Sequence, residues 1–378
     1  PTYTNAGESC TGPSKEFTIT VNPTAQVDQV TSIVVCNGDD IADIVFSTAN
    51  ENGTTIYSWT NDNTSIGLGA SGDGNISSFE ADNETNDPIT ANITVIPSYD
   101  AEDPLACTGE EMTFTITVNP TAQVDLPDNY EYCDGDTTDI VFTTSNGGDD
   151  SVTTYSWAVI SDEDLGLPST GDGNISELVT NTTTDILTAT ISVTPTYTNA
   201  GESCTGPSKE FTITVNPTAQ VEGIDPIVVC NGDDIADIVF STANTNGTTI
   251  YSWTNDNTSI GLAASGTGDI TTFEATAETS PELATITVTP SYDAVDALSC
   301  PGDSITFTIT VNPTPKMDPL EDIEACNGEE VTIDFITDNT IGVTTYDWSV
   351  TGDLIGLADD TVNITDSNAD ITFTASNP

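Results

Sequence analysis

The sequence predicts an all-β chain of tandem β-sandwich repeats, each of 96 to 97 residues, stacked end to end. Three recurrences carry that expectation. Val-Asn-Pro-Thr returns at Val21, Val118, Val215 and Val311. A Cys-(Asn/Asp)-Gly-(Asp/Glu) turn begins at Cys36, Cys133, Cys230 and Cys326. Tyr-x-Trp follows it at Tyr57/Trp59, Tyr155/Trp157, Tyr251/Trp253 and Tyr346/Trp348. The period is too long for a solenoid unit and suits a sandwich of about 100 residues.

Placing boundaries at the Asn-Pro punctuation gives five pieces. Residues 1–22 read as the last strands of a preceding repeat, and 23–119, 120–216 and 217–312 as three repeats. Residues 313–378 read as the first part of another. A sandwich cut open exposes its core, so this frame predicts a window onto a longer periodic chain. Completion by a strand from a neighbouring chain is the alternative. Pro1–Val27 is identical to Pro195–Val221, and Ile33–Asn50 to Ile227–Asn244, which points to duplication of a two-repeat block. The sameness of those surface residues therefore says nothing about a site.

Within the first repeat, strands follow from period-2 alternation. Ile41–Thr48 places Ile44 and Phe46 on one face, and Thr54–Thr60 places Tyr57 and Trp59 together. Ile89–Ile96 pairs Ile93 with Val95, and Met112–Val118 aligns Phe114, Ile116 and Val118. Asn-Gly, Gly-Asp-Gly and Asn-Pro end the strands. No segment has a helical period. Trp59, Trp157, Trp253 and Trp348 alternate in phase with the tyrosines, so they are expected in the core, like the buried Trp of immunoglobulin-type sandwiches.

Lys and Arg number 3 against 61 Asp and Glu, a net charge of −58. Such a polyanion excludes nucleic acid and anionic lipid as partners, because phosphate contacts need cations. No apolar run approaches the ~18 residues of a membrane span, so neither a span nor a secretion signal is expected within this window. The eight cysteines are Cys10, Cys36, Cys107, Cys133, Cys204, Cys230, Cys300 and Cys326. A regular, even set without histidine or a Cys-x-x-Cys pair reads as disulfides in an oxidising compartment, not as zinc ligands.

Their pairing is a question of geometry. Strands of ~8 residues at ~3.3 Å per residue hold the two ends of a sandwich about 25 Å apart. A disulfide needs Cα atoms within roughly 7 Å. End-to-end stacking would set Cys36 against Cys204, and Cys133 against Cys300, across the junctions. Cys36–Cys107 within one repeat is the rival, and it would require a different strand order.

No catalytic constellation stands out, and no enzyme is expected. Histidine is absent, which excludes Ser-His and Cys-His nucleophile pairs. The carboxylate pairs Asp39/Asp40 and Asp233/Asp234 read as solvated turn residues rather than a glycosidase dyad. Gly72–Gly74 and Gly171–Gly173 read as turns, with no helix behind them to bind phosphate. Calcium is the one cofactor expected, with Asp39, Asp40, Asp43, Asp100, Glu102 and Asp103 as candidate oxygen ligands. A hydrated acidic surface is the competing reading, because no Asp-x-Asp-x-Asp-Gly loop is present. Asn-x-Ser/Thr triplets occur at Asn52, Asn63, Asn75, Asn92 and Asn174, as they would by chance in an Asn/Thr-rich chain.

The ordered set Cys-Asn-Gly-Asp, Tyr-Ser-Trp, Ile-Gly-Leu, Cys-x-Gly and Phe-Thr-Ile-Thr-Val-Asn-Pro covers essentially the whole chain. It resembles the PKD-like repeats of Bacteroidota surface proteins. Such repeats occur in very large proteins exported by the type IX system, including gliding-motility adhesins of the SprB kind. The resemblance implies a bacterial cell-surface location and a stalk or adhesive-filament role. It also implies O-linked modification at Asp-(Ser/Thr)-apolar triplets, with Thr137, Ser151, Ser304 and Thr361 as candidates. The expected partners are neighbouring repeats of the same chain and a surface or glycan ligand. The alternatives are a loop-mediated carbohydrate-binding array and a spacer for a distant enzyme domain.

Overall fold

The computed structural model describes residues 1–51, 53–100, 107–126, 128–293, 298–351, 355–357 and 369–377. Three sandwiches follow one another, each built on a six-stranded sheet. In the second, a leading strand (Tyr130–Cys133) lies beside a closing strand (Lys209–Asn216), then a long strand (Leu187–Asn199), a tryptophan strand (Val152–Val159) and a short edge strand (Thr170–Asp172). A hairpin strand carrying Cys204 (Glu202–Thr205) pairs with the far half of the long strand. Leading and closing strands run parallel, and the other pairs are antiparallel.

The first and third sandwiches repeat the order, with leading strands Ile33–Cys36 and Ile227–Cys230 and closing strands Met112–Asn119 and Ile305–Asn312. The opposite face is covered by short pairings: Asp40–Ile41 with Phe79–Glu80, and an isolated bridge from Ile44 to Ile76. Among the described residues the only helical turns are two 3-10 turns, Thr64–Ile66 and Thr258–Ile260.

Alternation explains why these runs form strands. In Lys209–Asn216, Phe211, Ile213 and Val215 are buried, while the intervening threonines face outward. β-Branched threonine suits that wetter face of a pleated sheet. The inward residues meet Ile140, Phe142, Trp157, Leu165, Ile175 and Ile191 in one core. The first and third sandwiches build the same core around Trp59 and Trp253. Each core sets a Phe against the Tyr of the Tyr-x-Trp motif, with ring centroids 5.5 Å apart for Phe142 and Tyr155.

Two sequence expectations need correcting here. Ile41–Thr48 is not one continuous strand: pairing stops after Ile41, resumes at the Ile44 bridge, and Phe46 N–H donates to the Asn75 side chain. Ile41, Ile44 and Phe46 are all buried, so the first and second core positions stand three residues apart, not two. The register is unbroken, with Ile41 opposite Phe79 and Ile44 opposite Ile76, so ladder pairing lapses between them without an inserted residue.

Nor is Gly-Asp-Gly simply a turn. Gly171 lies within the edge strand, where a Cβ would meet Trp157 Cζ2 at 2.3 Å. Only Gly173, at φ 71°, makes the left-handed turn. The first glycine makes room for the indole.

At the ends the pattern is partial. Thr2–Asn5 and Glu8–Thr11 form a two-stranded hairpin, and Phe17, Ile19 and Val21 are exposed, whereas the same letters at Phe211, Ile213 and Val215 are core. Glu330–Phe335 pairs with Ala369–Thr374, and Phe335 stacks on Tyr346 with Trp348 packed beside them.

Candidate functional site: the junctions between sandwiches

The chemistry that recurs along the chain is concentrated where one sandwich meets the next. Disulfides join Cys36 to Cys204 and Cys133 to Cys300, each with Cα atoms 5.5 Å apart. Each crosses a junction. Cys10, Cys107, Cys230 and Cys326 are free thiols, so Cys36 and Cys107 are not paired.

Strand order presents these cysteines at opposite poles. Cys133 ends the leading strand beside Asn216, at the pole where the long strand begins at Leu187. Cys204 pairs with Tyr197 near the other end of that long strand. The turn after each leading-strand cysteine is self-capped. Asp39, Asp136 and Asp233 carboxylates accept from the N–H of Cys36, Cys133 and Cys230, and Glu329 does the same for Cys326. Gly38, at φ 83°, supplies the left-handed residue that this turn needs.

The hairpin cysteine is held by the glycine of Cys-x-Gly. Gly206 N–H donates to Pro195 O at 3.0 Å, and its missing Cβ leaves room for the Ala122 carbonyl. Gly109 sits equally close to Ala25, and Gly302 to Ala219. The hairpin is thus clamped onto the entry segment of its own sandwich, with its cysteine facing the preceding one.

A second set of contacts closes the junction. Buried Asn83 donates to Val118 O and Asp87 O and accepts from Thr85 N–H, which shapes the loop that ends at Pro88. From that loop Asn86 O accepts from Gly147 N–H of the next sandwich at 3.0 Å. Tyr197, fully buried, donates its hydroxyl to Gly147 O at 2.8 Å. Asn119 and Asn199 exchange two hydrogen bonds across the same junction.

At the following junction Thr245 N–H donates to Thr184 O, and the Asn246 amide to Asp185. Tyr292 donates to Thr245 O and Asn246 O. Around it Ala219, Cys300, Cys133, Ile186 and Leu298 form a small apolar cluster. Burial, and then the Asp185 and Glu131 carboxylates of the preceding sandwich, push the Tyr292 hydroxyl above its ordinary value.

The other sequence candidates fall elsewhere. Asp39 is a turn cap, Asp43 accepts from Ser78 N–H, and Asp40 pairs with Glu80 in a strand. Asp100 ends a long strand, while Glu102 and Asp103 lie outside the described residues. Among the described residues no three His, Cys, Asp or Glu side chains converge to hold a metal ion. Asn63, Asn75, Asn92 and Asn174 spend their amides on a cap, Phe46 N–H, Asp62 and Phe142 N–H respectively, and Asn52 lies outside the described residues.

Thr137 is exposed and is followed by Thr138, so its triplet lacks the apolar third residue. Ser151 donates to Gly147 O and Gly148 O, and Ser304 is exposed beside the Thr289 hydroxyl. Thr361 lies outside the described residues. Trp59, Trp157 and Trp253 are buried, and their indole N–H groups have no hydrogen-bond partner. Sequence reasoning missed Asn83, its counterpart Asn181, and the clamp glycines. The signal for the last was the glycine two residues after each hairpin cysteine.

No family model matches the chain, and no curated protein matches it. Among solved structures the chain is similar to the three N-terminal domains of the bacteriophage RB49 Highly Immunogenic Outer Capsid protein, at 15% identity and TM-score 0.36, over 77% of this chain and 98% of that one. It is also similar to human CDH23 EC21-23, at 13% identity and TM-score 0.36, over 76% and 100%. The human Desmocollin-1 ectodomain is similar at 13% identity and TM-score 0.30, over 94% and 74%. Among the described residues no helix is long and apolar enough to cross a membrane.

Proposed function

We propose that this chain is a load-bearing stalk segment of a large extracellular surface adhesin, serving attachment or gliding motility at a bacterial cell surface. The single observation that carries the reading is that two successive junctions are each closed twice, by a disulfide and by loop-to-loop hydrogen bonds. A flexible tether needs neither. Disulfides also persist only in an oxidising compartment, which supports an extracellular setting. The charge of −58 keeps densely displayed copies apart.

A carbohydrate-binding array would need exposed aromatic platforms. Among the described residues the strongly exposed aromatics are Tyr3 and Phe17, both outside the three sandwiches. The residues that repeat are spent on cores and junctions, not on an open cleft.

Two measurements test the reading. Electron microscopy of the purified chain should show stiff rods whose bends do not concentrate at the junctions. Antibody labelling of intact cells that make the protein should decorate threads standing off the surface. Globular or freely jointed particles, or label seen only after permeabilisation, would refute it.

A further inference from the structure

The two disulfides do more than staple neighbours, because their loops overlap. Cys36–Cys204 closes 168 residues and Cys133–Cys300 closes 167, and the segment from Cys133 to Cys204 belongs to both. We infer that the bridges form a covalent bypass that carries tension along the stalk and caps how far it can extend when its sandwiches unfold. The inference rests on the stalk reading and deepens it.

The covalent path follows from the connectivity. Tension arriving at Cys36 crosses to Cys204, runs backward through the second sandwich to Cys133, and crosses again to Cys300. About 190 residues are left off this shortest path, roughly 650 Å of chain at ~3.4 Å per residue. Removing one bridge lengthens the path by only about 25 residues, roughly 85 Å, because the other still shunts most of the same segment. Loops lying side by side would behave otherwise, each releasing its whole length.

The segment that takes this load, Cys133 to Cys204, holds the tryptophan strand and the long strand, paired antiparallel from Val152–Thr198 to Val159–Ile191. Trp157, Ile191 and Val193 anchor these two strands in the core. The closing strand, Lys209–Asn216, lies off the path.

The test is single-molecule force spectroscopy on the whole chain, tethered at its ends with the four free thiols alkylated. In excess dithiothreitol the fully stretched chain should be longer than the oxidised chain by about 190 residues of contour. Cys36→Ser alone, or Cys133→Ser alone, should add only about 25 residues, and the two together should reach the reduced length.

Equal oxidised and reduced lengths would overturn the bypass, as would a single substitution that releases about half of the hidden contour. Unreduced peptide mapping that joined Cys36 to Cys107 would overturn it too. The stalk reading is decided separately by the microscopy: loss of a junction bridge would remove one closure of that junction, while the loop-to-loop hydrogen bonds would remain.

Discussion

Gly206 stands so close to the Ala122 carbonyl that a Cβ on it would lie 1.9 Å from that oxygen. The contact fixes the hairpin that carries Cys204 against the start of its own sandwich. The neighbour is backbone and cannot rotate away, so any side chain here must push the hairpin off. Gly206→Ala should destabilise the second sandwich by about 1–3 kcal/mol, as overpacking does. It should also slow formation of the Cys36–Cys204 bridge, because the thiol is no longer presented at bonding distance. Thermal melting, with thiol titration after air oxidation, reads both effects. An unchanged melt and an unchanged thiol count would mean that the clamp is dispensable.

Asn181 is 2% exposed, and its amide donates to Val215 O and Asp185 O. It ties the closing strand to the loop that meets the third sandwich. Asn181→Ala leaves two carbonyls short of a donor, which costs about 1–3 kcal/mol when such groups are buried. Urea denaturation measures this directly. Ala277 occupies the equivalent place in the third sandwich, where its N–H donates to the Asn231 side chain as the Asn181 N–H does to Asp134. The fold thus survives the alanine, and the loss should appear as a lower transition midpoint rather than a failure to fold.

How much of this is legible in the sequence depends on the length scale of the signal. Period-2 runs such as Phe211-Ile213-Val215 announce strands and core faces because each inward residue has its reason two places away. Ile41–Thr48 misleads because ladder pairing lapses between Ile41 and Ile44, and that lapse leaves no mark on which residues are apolar. The partner of Cys36 turns on strand order, which sets which pole each cysteine occupies. No local pattern encodes that. The clamp glycines and Asn83 act through backbone atoms distant in the chain, so the sequence shows that these residues repeat but not what they touch. The acidic candidates are hard to read for a related reason: in an anionic chain, a carboxylate that caps its own turn, as Asp39 does, looks the same in sequence as one that awaits a cation.

Trp157 offers a contrast between shape and polarity. Its indole N–H is buried without a partner, and Gly171 leaves space for the ring. Trp157→Phe removes an orphan donor along with some buried area, so its cost should stay below about 2 kcal/mol. Gly171→Ala sets a methyl against the indole at 2.3 Å and should cost more, about 1–3 kcal/mol or beyond. Guanidinium denaturation of the two variants side by side decides the order. The reverse order would show that the indole N–H has a partner in solution.

Alkaline titration probes the second junction. The Tyr292 hydroxyl is pushed up by burial first and then by Asp185 and Glu131 across the junction. Tyr57, Tyr155 and Tyr251 are also raised, mainly by burial. A tyrosine with a folded-state value above its unfolded one favours folding while it is neutral. That contribution is complete below the unfolded value, near 10, and is lost as pH rises through the folded value. Ionising Tyr292 also removes its donors to Thr245 O and Asn246 O and adds a negative charge beside two carboxylates. Stability should therefore be flat from neutral pH to the onset of ordinary tyrosine ionisation and fall above it. Tyr292→Phe should lower the plateau and flatten the fall at the second junction. Melting followed between pH 8 and 12, with tyrosinate absorbance recorded in parallel, tests the sign. A transition that rises with pH across that range, or a Tyr292→Phe variant with an unaltered profile, would show that the hydroxyl does not hold the junction.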